Sequence, residues 1–240
     1  MSYKNKNKDN IDSYNLSLEC IAKIHTDFPE KFGIPRQSGV VDALKALIIF
    51  ESKFRNPDAF RGLEGFSHIW LIWGFHNFNR DNWSPMVKPP RLGGNRRMGV
   101  FATRSPNRPN SLGLSSVKLD KLEFHKELGP ILHVSGIDLM DQTPIYDIKP
   151  YLAYTDSHPD ASEGFLDHIE EDLLEVEISD HLFEQIPVKY HEALIGVLAQ
   201  DPRPSYHDDP NRIYGFYFAD YNIRFMVDGK RLTVCEITKL

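Results

Sequence analysis

Two segments in the first third of the chain carry side chains suited to binding a small polar ligand. In FGIPRQSG, Arg36 and Gln37 follow Pro35, so a guanidinium and an amide project from a backbone that proline restrains. In FSHIWLIWGFH, His76 follows Phe75 at the end of an aromatic run, where a side chain can emerge from a core into a pocket. These residues predict recognition of a carboxylate or a base edge. The alternatives are a surface turn and an ordinary polar residue at a strand end.

Two later segments add cations and carboxylates. The sequence ATRSPNRPNSLGLS places Arg104 and Arg108 four residues apart in a proline-stiffened stretch, which suits phosphate or carboxylate binding. The sequence DLMDQTPIYDIKP holds acids next to Thr143 and Pro144. A carboxylate at this position can accept a hydrogen bond from an amine or a ribose hydroxyl.

The sequence lacks the motifs of several common enzyme classes. It has no HExxH or paired metal spacing, no GxSxG, no GxxxxGK[ST], and no GxGxxG after a strand. We therefore expect no metal site and no Rossmann-type cofactor site. No run approaches the ~18 apolar residues of a membrane span. Cys20 and Cys235 are far apart, which indicates a reducing compartment, and we expect a cytoplasmic protein.

The charge distribution points to a phosphate-bearing partner although the net charge is −6. Residues 82–119 contain no Asp or Glu, and a basic segment on an acidic chain can make a local positive field. Its proline- and glycine-rich part, residues 82–110, resembles the long irregular loops that are usually functional. A loop that is merely basic is the alternative. The cations of the segment are Lys88, Arg91, Arg96, Arg97, Arg104, Arg108 and Lys118.

Short strands separated by turn signals must position these side chains. We predict a mainly β protein with an antiparallel β-barrel over residues 16–157, a disordered tail at 1–15, and a smaller α+β domain at 158–240. The predicted barrel strands cover 18–25, 42–50, 68–75, 114–124 and 131–139.

The predicted C-terminal domain opens with an acidic segment. EGFLDHIEEDLLEVEI has helix-like apolar spacing, and Pro187 is placed to open a helix over 190–200. Three strands follow at 213–218, 221–227 and 231–237, and Asp228-Gly229 predicts a hairpin between the last two. A unit of this size is expected to dock on the barrel or on a second subunit.

The four ligand-binding segments, in this order, closely resemble the TrmO family, also called TsaA-like or YaeB-like proteins. The resemblance covers residues 18–156, and DPRPSYHDDPNRIYGF resembles the C-terminal extension of bacterial members. It implies a homodimeric β-barrel enzyme that uses S-adenosylmethionine to methylate N6 of threonylcarbamoyladenosine next to the anticodon of tRNA. It further implies cofactor contacts from Pro35, Arg36, Gln37, Phe75, His76, Arg104, Leu114, Asp141, Gln142, Thr143 and Pro144.

The pocket implied by the resemblance lies near the subunit interface, and Gln142 stands where many relatives have glycine. Charge and aromaticity predict tRNA contacts at Arg91, Arg96, Arg97 and Arg108, with Tyr206 or Tyr214 stacking on a base. No catalytic residue is identified, because methyl transfer mainly requires positioning. Two other functions stay open: a non-catalytic barrel that binds S-adenosylmethionine or RNA, and a methyltransferase acting on small molecules.

Overall fold

The computed structural model describes residues 16–76, 83–89, 96–166, 173–203 and 209–240. The described strands are β1 (Ala22–His25), β2 (Lys45–Phe50), β3 (His68–Gly74), β4 (Met86–Val87), β5 (Met98–Gly99), β6 (Leu112–His125), β7 (Gly129–Ser135), β8 (Pro144–Pro150), β9 (Glu175–Glu177), β10 (Tyr214–Phe218), β11 (Tyr221–Asp228) and β12 (Arg231–Lys239). The described α-helices are α1 (Ala153–Asp156), α2 (Asp180–Phe183) and α3 (His191–Ala199). Short 3-10 helices lie at Ser52–Phe54, Pro57–Phe60, Leu63–Gly65, Val100–Ala102, Gly164–Leu166 and Val188–Tyr190.

Six strands form a closed barrel in the order β1-β2-β7-β6-β3-β8, and every neighbouring pair is antiparallel. Alternate side chains point inward, as the period of two in a strand requires. In β2, Ala46, Ile48 and Phe50 are buried while Lys45 is exposed, and in β3 Ile69 is buried beside exposed His68. The prediction of a mainly β protein with an antiparallel barrel is confirmed.

Antiparallel order brings three connections to one end of the barrel. Strands β1, β7 and β3 finish at this end, and β2, β8 and β6 start there. The connections are residues 26–44, 75–111 and 136–143, and we call this end the loop rim. The opposite rim carries the connections 51–67 and 126–128. The predicted site residues Gln37, His76, Arg104 and Thr143 therefore all lie in connections at the loop rim.

The C-terminal part of the chain forms a second sheet in the order β10-β11-β12-β9, with α3 packed nearby. The three predicted strands, the hairpin at Asp228-Gly229 and the helix after Pro187 are confirmed. The helix predicted over 163–178 is wrong at Glu175–Glu177, because this segment pairs in parallel with β12. Val176 pairs with Leu232, so the backbone hydrogen bonds of this segment go to β12. The local spacing of apolar residues cannot predict such a distant partner.

This second sheet packs on the connection 26–44 of the barrel. The Phe28 and Phe218 rings lie 5.4 Å apart, and the Ala219 N–H donates to the Asp27 carbonyl at 2.8 Å. Gly33, at φ +93°, lies against the Phe216 ring so closely that a Cβ would collide with it. The C-terminal unit therefore docks on the barrel of its own chain. Both parts share one core, so the division at residue 157 stays a prediction.

Within the described ranges, no helix is long and apolar enough to cross a membrane.

Candidate functional site

The connections 26–44 and 75–111 meet through a polar side-chain contact. Nη1 of Arg104 donates a hydrogen bond to Oε1 of Gln37. Gln37 follows buried Pro35 and exposed Arg36. The connection is held on its other side by the Gly39 N–H, which donates to the Gly136 carbonyl at 2.8 Å. An arginine and an amide from separate sequence segments thus lie side by side at the loop rim.

A half-buried carboxylate, that of Asp138, lies near this pair. Oγ of Ser115 donates to Oδ1 of Asp138 at 2.7 Å, and Nε1 of Trp73 donates to Oγ of Ser115 at 3.0 Å. Burial raises the pKa of Asp138, while hydrogen bonds from Ser115 and from backbone amides, including that of Ser38, and the charge of Arg104 lower it. The carboxylate is therefore held in a place where a cationic or hydrogen-donating ligand group would stabilise it.

Sequence reasoning missed Ser115 and Trp73 as partners of this carboxylate, and it did not separate Asp138 from the other acids of its segment. The available signal was the alternation in β6. Because Val117 faces inward, Ser115 two residues earlier must face inward as well. A buried serine needs a hydrogen-bond partner, which predicts a polar group inside the barrel.

The aromatic strand and the third connection also meet. The Trp73 and Phe75 rings lie 4.4 Å apart, and Oγ1 of Thr143 lies 3.4 Å from Nδ1 of His76. Thr143 is buried, and its hydroxyl donates to the Met140 carbonyl at 2.7 Å. Burial lowers the pKa of His76, opposed mainly by the backbone and charge of Asp141. The lowered pKa favours the neutral imidazole, which has one nitrogen donor and one acceptor.

Asp141 and Gln142 fix the third connection, residues 136–143, by hydrogen bonds to the end of β1 and the residue after it. Oδ1 of Asp141 accepts from the Thr26 N–H at 3.0 Å, and the Gln142 N–H donates to the Ile24 carbonyl at 2.9 Å. Gln142 has φ +63°, in the left-handed region that favours glycine. Its Nε2 lies 3.0 Å from Nδ1 of His25. Sequence reasoning missed the supporting roles of Thr26 and His25, which depend on contacts about 115 residues apart.

The structure thus joins the predicted cofactor residues in two groups. Arg104 and Gln37 are in contact beside Asp138, and His76 and Thr143 are in contact beside Asp141. The edge-to-face pair of Trp73 and Phe75 connects the groups, since Trp73 bonds Ser115 and Phe75 precedes His76. Pro144 is the first residue of β8 and pairs with Lys23.

Leu114 lies apart from both groups. It is the outward-facing residue before Ser115 and pairs with Ile72 of β3. Its side chain is 54% exposed and lines a groove with Trp70 and Ile72 on the outer wall of the barrel. Within one subunit, Leu114 therefore does not reach the interior where Ser115 and Asp138 meet.

The predicted tRNA contacts differ in their surroundings. Arg96 and Arg97 are exposed in the basic segment. Nη2 of Arg108 donates to the carbonyls of Val100 and Thr103, at 3.3 and 2.7 Å, so this guanidinium holds the loop backbone. The stacking role predicted for Tyr214 is wrong, because its ring is buried on Phe225. Arg91 and Tyr206 lie outside the described residues.

Across the residues that the structure describes, no group of three or more His, Cys, Asp or Glu side chains is arranged to hold a metal ion.

Comparison with known proteins identifies relatives over nearly the whole described chain. Residues 23–157 match the family model of the tRNA-methyltransferase O N-terminal domain, and residues 165–240 match the TrmO C-terminal domain. A tRNA (adenine(37)-N6)-methyltransferase of Escherichia coli is 40% identical over 227 residues, covering 88% of this chain and 93% of the relative. One of Eikenella corrodens with the same name is 46% identical over 164 residues, covering 68% and 92%. A crystal structure of TrmO from Pseudomonas aeruginosa has a TM-score of 0.75 at 33% identity, covering 94% and 98%.

Proposed function

The chain belongs to the tRNA-methyltransferase O family, and on that premise we propose that it methylates N6 of adenine 37 in tRNA with S-adenosylmethionine as methyl donor. The substrate form that we propose is tRNA carrying threonylcarbamoyladenosine at this position. The observation that carries the proposal is the meeting of three connections at the loop rim. They bring Arg104 to Gln37 beside Asp138, and His76 to Thr143.

The polar and aromatic side chains at the loop rim fit S-adenosylmethionine. The guanidinium of Arg104 suits a ligand carboxylate, and the half-buried carboxylate of Asp138 suits an ammonium group or a ribose hydroxyl. The Trp73 and Phe75 rings offer apolar surface beside these polar groups. When bound, S-adenosylmethionine supplies a methyl group that its sulfonium has already activated.

The side chains of the loop rim then act chiefly by holding the reactants in place. Fixed orientation removes much of the entropic cost of bringing two reactants together. Arg104 and Gln37 position each other, and Ser115, which accepts a hydrogen bond from Trp73, donates one to the Asp138 carboxylate. His76, whose lowered pKa favours the neutral form, would offer a bound ligand a hydrogen-bond donor or acceptor without adding a positive charge.

The outward position of Leu114 supports a homodimer. The family resemblance assigns Leu114 to the cofactor pocket, yet its side chain lies in the outer groove with Trp70 and Ile72. A second subunit covering this groove would bury the exposed leucine and bring it to the partner's pocket. Sedimentation equilibrium tests this arrangement: Leu114→Asp should yield a monomer with reduced transfer. A Leu114→Asp protein that stays dimeric and fully active contradicts it.

A cytoplasmic location suits both the substrate and the cysteines. A tRNA substrate is compatible with this location, and Cys20 and Cys235 are both free thiols. Fractionation of cells followed by immunoblotting for the chain tests this location.

The decisive test of the reaction combines two measurements. Purified protein is incubated with methyl-labelled S-adenosylmethionine and bulk tRNA, and nucleosides of tRNA from cells lacking the protein are analysed by mass spectrometry. We expect label in tRNA and loss of one methylated threonylcarbamoyladenosine in the deficient cells. Cofactor binding without transfer would instead support the non-catalytic barrel. Equally fast transfer to a free adenosine derivative would support a small-molecule methyltransferase.

A further inference from the structure

Two aromatic rings are exposed together at the loop rim. Trp83 is 49% exposed and Phe101 is 77% exposed, and their centroids lie 6.3 Å apart with ring planes within 25°. Leaving two large apolar side chains in water forgoes the free energy of burying them. Exposed apolar groups that lie together generally mark a binding surface, whereas single exposed ones are common on any protein.

The backbone around these rings is held in place on both sides. The short strands β4 and β5 pair Met86 with Gly99, and the Val100 N–H donates to the Pro85 carbonyl at 3.0 Å. The Ser84 N–H donates to the Asn107 carbonyl at 3.0 Å. These bonds tie the neighbours of both rings to one another. The exposed rings therefore sit on a fixed support, which lowers the ordering cost of binding a ligand.

Both rings belong to a basic segment that also contributes Arg104 to the candidate site. Residues 83–119 contain no Asp or Glu, and Arg96 and Arg97 are exposed in the same connection. Phe101 precedes Arg104, whose guanidinium contacts Gln37, by three residues. Aromatic rings on a segment that carries cations and no carboxylates fit unpaired nucleotides better than an acidic or purely apolar protein surface.

We propose that Trp83 and Phe101 form a stacking platform for unpaired bases of the tRNA anticodon loop that flank the target adenine. The platform rests on the proposed function and adds a binding surface to it. Sequence-specific RNA recognition commonly stacks splayed loop bases on aromatic side chains, while nearby cations hold the backbone. The rings would fix the position of the loop so that the target base enters the loop rim.

Three variants and a matched control test the platform. Trp83→Ala and Phe101→Ala remove one ring each, and Phe101→Tyr keeps a ring in place. The control, Phe124→Ala, removes a 58% exposed phenylalanine from the end of β6 at the opposite rim. For each protein, fluorescence anisotropy measures the affinity for tRNA, and calorimetry measures the affinity for S-adenosylhomocysteine.

Each ring-to-alanine variant should bind tRNA at least about fivefold more weakly, since stacking of one base on one ring accounts for that factor or more. Affinity for S-adenosylhomocysteine, and the slope of tRNA affinity with salt, should not change because no charge is lost. Phe101→Tyr and Phe124→Ala should behave like the parent. Unchanged tRNA affinity in both alanine variants would overturn the platform.

Two further outcomes are informative. The first distinguishes an RNA-binding platform from a self-association surface, and the second distinguishes failure of the platform from failure of the proposed reaction. If the alanine variants change the oligomeric state and leave tRNA affinity unchanged, the rings contact a second copy of the chain and the platform is wrong. If the parent transfers no methyl group to tRNA, the proposed reaction fails. The anisotropy measurement still decides whether the rings bind RNA, because it requires no turnover.

Discussion

Replacing Gly196 with alanine tests the docking of the C-terminal sheet on the connection that holds Gln37. Gly196 lies inside α3, and a methyl group built on it falls 2.6 Å from Cγ1 of buried Val41. Two effects oppose each other. In an isolated helix the change would stabilise by about 1 kcal/mol, because glycine has more conformational freedom to lose. Against a packed side chain, the added methyl costs about 1–3 kcal/mol.

The collision should outweigh the helix preference, because Val41 is buried and its short side chain cannot swing away. We expect Gly196→Ala to lower the free energy of unfolding by up to about 2 kcal/mol. Val41→Ala alone should cost about 2 kcal/mol for the two lost methylene-sized groups and the cavity they leave. In the double variant the new methyl fills that cavity. The double variant should therefore be no less stable than Val41→Ala alone.

Urea unfolding followed by tryptophan fluorescence measures all four proteins of this cycle. A Michaelis constant for S-adenosylmethionine, measured on the same proteins, should rise in Gly196→Ala and recover in the double variant, because Val41 lies four residues after Gln37. A Gly196→Ala protein about 1 kcal/mol more stable than the parent, with no coupling to Val41, would refute the packing of α3 on this connection.

Three other predictions concern residues of the loop-rim connections. Gln142→Gly should stabilise the protein by about 0.5–1 kcal/mol, because relief of the left-handed backbone exceeds the entropy that glycine loses, and thermal unfolding measures the gain. Arg96→Glu with Arg97→Glu should weaken tRNA binding and reduce the salt slope by about 2, and titrations at several salt concentrations that show no change would exclude a backbone contact. The lowered pKa of His76 contributes stability that is present above the ordinary histidine pKa of 6.5 and lost as pH falls below it. Unfolding measured between pH 7.5 and 5.5 should therefore show a smaller loss of stability for His76→Gln than for the parent.

Five of the six barrel strands and the three C-terminal strands β10–β12 were predictable because their signals are local, whereas the barrel strand β8 was not predicted. The alternation in β6 and the Asp228-Gly229 hairpin need only neighbouring residues to be recognised. Antiparallel order then brings the strand ends to one rim, and the ordered motifs of the family resemblance select the segments at that rim. The placement of Gln37, His76 and Arg104 at this rim could therefore be predicted from the sequence.

The missed features depend on pairings across long stretches of chain. Val176 belongs to a strand because β12 offers an edge more than 50 residues later, and its own neighbours carry a helical spacing. Ser115 contributes to the site by its hydrogen bond to Asp138, and Thr26 by its hydrogen bond to Asp141. In both pairs the partner is distant in sequence. Leu114 illustrates the reverse case, since the motif suggests a pocket residue while the strand period turns it outward.

The second sheet supports a loop that is synthesised long before it. The connection 26–44 leaves the ribosome early, but its packing partners Phe216 and Phe218 are made more than 170 residues later. Strand β12 lies between β11 and β9, so this sheet cannot assemble until its last-made strand has emerged. A nascent chain can thus close its barrel while the loop beside Gln37 still lacks support. We therefore expect chains that stop before β12 to be inactive even when their barrel is folded.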